Sequence, residues 1–409
     1  MPSKDARVVL LHPRREDLPD VALDPSLPVL EMLSTDPVPK ATAPLLVTAH
    51  GTPIGFVPED DPDPRAAAEA AFAEALALHR AEKRPCTWQA ALGKARPAVT
   101  VAVSTIGERP GPLNVLLQAL LAQTYAPLEV VVVDNRPGTW DHDDLMTSRR
   151  IRVVEEPVKG LSAARNRGIA SAVTPIVLLL DDDIMPSPDW AGWLVAGLHA
   201  TEDTACVTGL ILPLDTRTAG QRLLEEWGGY GKGLERKVHQ HPHPDPPSVL
   251  YPYQPGAFGS GASVGFWTDA VRELGGFDET LGAGTPAHGG EDLAMQMNVV
   301  LSGKHLVYEP RSVVWHRHRA TEKEWQRQLF WYGAGLSAAM LRQALSSPRH
   351  LVALARRIPA GFRHMTSKDS ERQANRSSSY PRKLVVTEWL GILVGPFALL
   401  RSVVERSRR

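Results

Sequence analysis

Three consecutive carboxylates, Asp181, Asp182 and Asp183, follow an unbroken apolar run from Ile176 to Leu180. Charges so close repel, and a bound cation such as Mg2+ or Mn2+ offsets that repulsion best. In an extended chain, side-chain alternation points Asp181 and Asp183 one way and Asp182 the other. Taken alone, the triplet also reads as a solvated turn ahead of a helix expected from Pro188 to Gly197. A second acidic pair, Glu291-Asp292, stands between a glycine-rich stretch, 282–290, and the helical pattern DLAMQMNVVLSG. Asp292 is thereby expected at a helix N-terminus, where the backbone dipole favours its ionised form; helix capping alone also accounts for an acid there. His316 follows a short expected strand, Ser312 to Trp315, with His318 two residues on. His239, His241 and His243 are interrupted by prolines, which favours a solvated loop over a metal site.

Such residues need a scaffold, and the chain offers one from Val99 onward. Val99 to Ser104, Glu129 to Val133, Ile151 to Val154 and Ile176 to Leu180 are apolar, β-branched runs. Helical patterns at Leu113 to Gln123 and Ser162 to Ser171 separate them. This β-α-β order predicts an α/β fold with an open, mostly parallel sheet flanked by helices, binding ligands at the carboxyl ends of its strands. Residues 1–96 are expected to form a small N-terminal α/β accessory domain. Its strands would lie at Val8 to Leu11 and on either side of a turn near His50-Gly51, with an alanine-rich helix from Ala66 to Lys83. Residues 97–320 would form the main domain. Residues 321–409 would form a helical C-terminal extension, with helices from Glu322 to Leu345 and Pro348 to Arg357. The polar stretch TSKDSERQANRSSS reads as a loop before a last apolar segment, Leu384 to Leu400.

Composition excludes several classes. The chain has 409 residues, with 45 basic and 46 acidic side chains, so no bulk field recruits nucleic acid. Two cysteines cannot form a disulfide framework, and a cytoplasmic location fits. The first residues lack a long apolar run, so a cleaved signal peptide is not expected. Glu388, two glycines and Pro396 interrupt Leu384 to Leu400, against a simple membrane span. From Arg349 to Arg409, however, there are 13 Lys/Arg against 4 Asp/Glu, an excess of 13 − 4 = 9. This basic tail is suited either to peripheral contact with an anionic membrane, at the inner face of the cell membrane, or to packing on the domain with its charges solvated.

The segments Thr100 to Asn135, Gly160 to Asp183, Gly275 to Asp292 and Val313 to His318 together resemble family 2 glycosyltransferases. The resemblance spans roughly residues 98–335 and implies a GT-A fold, with a nucleotide-binding half followed by an acceptor half. It implies transfer of a sugar from a nucleoside-diphosphate sugar to an acceptor hydroxyl by metal-assisted, inverting displacement, with Mn2+ or Mg2+ as cofactor. Carried over by position, Ser104, Thr105 and Arg109 lie where the nucleotide enters, and Asp134 faces the base. Gly160, Arg165 and Asn166 lie beside the diphosphate. Asp181 lies near the ribose or the metal, Asp182 serves either purpose, and Asp183 ligates the metal together with His316. Asp292 is then the base for the acceptor hydroxyl, and Glu291 holds the acceptor or orients Asp292.

The processive members of the family carry Q-x-x-R-W and several membrane helices. The nearest segment here is Trp325 to Trp331, so transfer of one or a few sugars is expected, in cell-surface polysaccharide or glycoconjugate synthesis. The acceptor stays open among saccharide, lipid-linked and other hydroxyl compounds. Two rival functions fit the residues less well. A sugar-1-phosphate nucleotidyltransferase would carry a lysine in its glycine-rich signature, and Ser104 to Gly111 has none. A non-catalytic carbohydrate- or partner-binding protein would not need Asp181, Asp183, Glu291 and Asp292 all intact.

Overall fold

The structure, a computed structural model, describes residues 29–31, 45–49, 52–57, 62–71, 87–139, 148–366 and 380–408. The expected strand at Val8 to Leu11, the turn at His50-Gly51 and the loop over 367–379 lie outside these. So does most of the Ala66 to Lys83 helix, whose described part is helical over 64–71.

A three-stranded sheet comes first, with β1 (Val29–Glu31) parallel to β2 (Leu45–Ala49), which pairs antiparallel with β3 (Thr52–Val57). Leu46 joins a cluster with Leu210, Tyr308 and Trp315, so this sheet is packed onto the main domain. A short helix, α1 (Trp88–Leu92), leads into that domain.

Its elements follow as β4 (Val99–Thr105), α2 (Pro110–Leu121), β5 (Leu128–Asp134), β6 (Ile151–Glu155), α3 (Leu161–Ser171) and β7 (Ile176–Asp181). Then come β8 (Ile184–Pro186), α4 (Trp190–Leu198), β9 (Thr204–Pro213), α5 (Ala219–Trp227) and β10 (Lys237–His239). β11 (Ser263–Trp267), α6 (Thr268–Glu273), α7 (Glu291–Leu301) and β12 (His305–His316) complete it.

The sheet order is β10-β12-β9-β11-β7-β4-β5-β6, with β8 beside β12. β4 pairs parallel with both β5 and β7, and β9 pairs parallel with β12; β11 runs antiparallel between β7 and β9. The mostly parallel α/β sheet expected from the sequence is therefore present.

Alternation along the buried strands fills both faces. Val101, Val103 and Leu178 meet Leu116, Trp190 and Trp193 on one side, while Ala102, Val177 and Leu179 meet Ile169, Met297 and Ala338 on the other. The chain runs outward from β4 through β5 to β6, then returns to the far side of β4 as β7. That reversal opens a crevice at the carboxyl ends of β4 and β7, where ligands bind in such sheets.

Three helices follow: α8 (Glu322–Ser346), α9 (Pro348–Thr366) and α10 (Arg382–Ser407). α9 runs nine residues beyond the expected Arg357 end, and Pro359 is accommodated inside it. A Thr321/Glu324 capping box starts α8. Ala338 and Ala339 of α8 and Leu399 of α10 enter the sheet's own core. α10 crosses α8 at such close range that a Cβ on Gly391 would lie 2.0 Å from the Phe330 carbonyl oxygen. By length and composition α10 is long and apolar enough to cross a membrane, but only one face is buried. Glu388, on that buried face, accepts a hydrogen bond from Trp227 Nε1 at 3.2 Å.

Candidate active site

The crevice widens into a cleft of about 1340 Å³. Register places its floor: Ser104 pairs with Asp181 across β4 and β7, and Thr105 with Asp134 across β4 and β5. Strand β7 ends at Asp181, and Asp182 and Asp183 form a turn before β8. The alternation expected for the triplet therefore fails, because the chain is no longer extended. Asp181 accepts from Arg165 at 2.9 Å. Asp182 accepts from Thr105 Oγ1 at 2.6 Å and from Arg109 at 2.7 Å, and the same guanidinium pairs with Asp183.

Carboxylates packed this way titrate abnormally. Burial, opposed by Arg165 and aided by Asp183 and Asp182, pushes Asp181 up to about 6. Burial raises Asp182 as well, against Arg109 and Thr105. Asp183 moves the other way: burial opposes its ionisation, but His316 and Arg109 more than offset this and hold it below the ordinary range. Burial pushes His316 down to about 4 against the pull of Asp183, so its imidazole is neutral at neutral pH. His316 Nε2 lies 3.5 Å from Asp183 Oδ1, and its Nδ1 lies 3.0 Å from His318 Nδ1. A carboxylate oxygen facing a neutral imidazole nitrogen suits Mn2+. Among the described residues, no three His, Cys, Asp or Glu side chains converge on one point, so the protein offers this pair.

Arg165 ties the two halves together. Its side chain, 3% exposed, donates to Asp181, to Glu291 Oε1 at 2.9 Å and to the Gly261 carbonyl at 3.0 Å. Burial and the Asp292 charge, opposed by Arg165, push Glu291 up to about 7. Asp292 sits in the first turn of α7, as expected, and accepts from the Gly261 amide at 3.0 Å and its neighbour Leu293 N at 2.8 Å. A Cβ at Gly261 would lie 2.4 Å from the Asp292 Cβ, so only glycine permits this approach. The 282–290 loop closes on itself, with Gly282 N bonded to Gly289 O, and His288 stacks on Trp331 of α8 at 3.8 Å.

Of the residues singled out from sequence, Ser104, Thr105, Arg109, Gly160, Arg165, Asp181, Asp182, Asp183, Glu291, Asp292 and His316 line the cleft. Two do not. Asp134 is fully buried and caps its own turn through Arg136 N at 2.8 Å, whereas the next residue, Asn135, reaches the cleft. Asn166 grips the 277–279 segment, accepting from Phe277 N and donating to Phe277 O and Glu279. Sequence reasoning missed Lys159, Arg319, Tyr332 and Glu388, which also line the wall. Lys159 directly precedes Gly160 and was within reach of a charge-based reading. Glu388 was not, since it arrives from the C-terminal helix.

The family model for glycosyl transferase family 2 matches residues 100–268. A pre-mycofactocin glycosyltransferase of Mycobacterium tuberculosis is 28% identical over 225 residues, 54% of this chain and 44% of the relative. The chain thus spans less than half the length of that relative. A glucosyl-dolichyl phosphate glucuronosyltransferase of Haloferax volcanii is 27% identical over 248 residues, 58% of this chain and 75% of that protein. Among solved structures, a mannosyltransferase of Pyrobaculum calidifontis, in complex with GDP-Man and Mn2+, aligns over 84% of both chains at 19% identity and TM-score 0.43. The transferase GalNAc-T7, with UDP, GalNAc and Mn2+, aligns over 60% of this chain and 51% of that one, at 17% identity and TM-score 0.42. Residues 100–268 of the chain thus match glycosyl transferase family 2 as a domain.

Proposed function

We propose that the protein transfers one sugar, or a few, from a nucleoside-diphosphate sugar to an acceptor hydroxyl, with inversion at the anomeric carbon. The observation that carries this reading is the Arg165 bridge. It joins Asp181, at the strand end, to Glu291, beside Asp292 on the acceptor side. Asp292 takes the proton of the acceptor hydroxyl as its oxygen attacks the anomeric carbon. The bond to the diphosphate breaks on the opposite face, and the leaving group keeps the electron pair. Arg109, Arg165, Lys159 and Arg319, all on the cleft wall, favour that growing negative charge.

Asp183 and His316 would hold a divalent cation, Mn2+ or Mg2+. When bound, it supplies Lewis-acid neutralisation of the diphosphate. The test is direct: a panel of UDP- and GDP-sugars is incubated with Mn2+ or Mg2+, and released nucleotide is scored with and without cell-envelope lipid. At least one donor is expected to turn over with metal and stop with chelator. Silence across the panel moves the chain to a binding role on a transferase scaffold.

The setting that fits best is cell-surface polysaccharide or glycoconjugate synthesis on the cytoplasmic side of a membrane. The exposed faces of α9 and α10 carry Leu351, Ile358, Phe362, Leu393 and Phe397. Exposed Arg349, Arg356, Arg363 and Arg401 lie on the same two helices, which suits an anionic bilayer surface.

A further inference from the structure

The cleft is larger than a small-molecule site requires. Pockets for one ligand run to roughly 300–1,000 Å³, against about 1340 Å³ here. The charged end accounts for the strand termini and Asp292. Beyond Asp292 the cleft continues between α8 and α9, and its wall changes character: Leu250, Met340, Leu341, Leu351, Leu354 and Ile358 line it. Leu351 and Ile358 are also 52% and 69% exposed, so this arm opens at the outer surface of α9.

Tyr253 and the two terminal nitrogens of Arg357 are already bonded within the protein, while Arg357 Nε is buried without a partner. Tyr253 Oη lies 2.8 Å from His350 Nδ1, and Arg357 donates to the carbonyls of Ala353 and Tyr251. A peptide or oligosaccharide laid there would lose water from its own polar groups and find few partners. A hydrocarbon chain would lose nothing and bury apolar surface.

We propose that the acceptor is an amphiphile whose hydroxylated head reaches Asp292 and whose single hydrocarbon chain lies in the arm between α8 and α9. This rests on the transferase reading above and narrows its acceptor from hydroxyl compounds in general to lipids. Leu351 and Ile358, exposed where the arm reaches the outer surface of α9, mark where the chain would enter from a bilayer surface.

The test uses the full chain and three probes below their micellar concentrations: methyl, octyl and dodecyl β-D-glucoside. Binding is measured by calorimetry, in parallel with binding of UDP- and GDP-sugars in Mn2+. The dodecyl compound is expected to bind at least tenfold more tightly than the octyl one, and the methyl one weakest. Leu354→Trp and Met340→Trp fill the arm from opposite walls and are each expected to cut the dodecyl-to-octyl ratio below threefold. Melting curves identify any variant that has lost its fold, and the other then decides. A ratio near one in the wild type overturns the proposal. A ratio unchanged in a folded filled variant does so too, since the chain would then rest on the exposed helix faces. Chain-length-dependent binding without binding of any nucleotide sugar overturns the transferase reading instead, and leaves a lipid site.

Discussion

At the sheet end of the cleft, charge is dense and closely paired: Asp181 is held by Arg165, Asp182 by Thr105 and Arg109, and Asp183 by Arg109 beside His316. At the helix end the wall is mainly leucine, methionine and isoleucine, and the Tyr253 hydroxyl and the terminal nitrogens of Arg357 bond to the protein itself. One cavity therefore joins a region organised by electrostatics to one organised by the hydrophobic effect. Charged groups in the first need exact partners, because an unpaired buried charge is costly. The second tolerates changes of shape but not of polarity. The Arg165-Glu291 pair and Asp292 sit where one regime gives way to the other.

The largest expected effect tests that boundary. Asp292→Asn keeps the side-chain shape and removes the proposed base, so kcat should fall by about 10² to 10⁴, the range for general base catalysis. Donor KM should move little. Nucleotide-release kinetics check this, and a kcat within threefold of wild type would take Asp292 out of the chemistry. At the charged end, Asp183→Asn should raise the Mn2+ concentration for half-maximal rate by at least about tenfold, through loss of a charged ligand. His316→Ala should shift it in the same direction, and a metal titration that does not move in either variant would remove the pair as the cation site.

Away from the chemistry, Gly391→Leu forces a side chain into the α8-α10 contact. Overpacking of this kind costs about 1–3 kcal/mol or more. Thermal unfolding should begin several degrees lower, and an unchanged melt would mean that the two helices can separate freely. Acid stability probes a buried group outside the cleft. Burial, with Lys237 and His243 adding, pushes His239 down to about 4. Its unfolded value is about 6.5. Between those two values the unfolded chain takes up a proton that the folded chain refuses, so stability falls as pH drops through this window. The loss should approach about 3 kcal/mol at pH 4. His239→Phe, which keeps a ring against Tyr251 and Phe258, should flatten that part of the urea-denaturation profile. The smallest effect belongs to the outer helix faces. Leu393→Glu with Phe397→Glu should weaken sedimentation with anionic vesicles by about fivefold or more, through lost apolar contact. Undiminished sedimentation would separate the bilayer from α10.

How much of this was legible depended on whether the signal was local. Runs such as Val99 to Thr105 and Ile176 to Asp181 announce buried parallel strands because both faces are covered and every position is apolar. Asp292 at the start of α7 followed from the glycine-rich stretch before a helical pattern. Asp134 lies off the cleft wall because the backbone turns its side chain onto Arg136 N, a direction that a position at a strand end does not reveal. Asn166 looked like a ligand contact and instead clamps a loop 111 residues away.

The sequence alone determined the order of strands and helices from Val99 to Asp181, the acids at a strand terminus and a helix start, and the family resemblance that their spacing carries. These follow from periodicity and from residue chemistry within one segment. Only the tertiary structure decided which carboxylate faces which cation, that Asp182 and Asp183 share one guanidinium, and that His316 stands opposite Asp183. It alone brought Glu388 of α10 into the wall of the cleft beside Trp227, 161 residues earlier in the chain. Those pairings depend on strand order and helix packing over long separations, which no local pattern encodes.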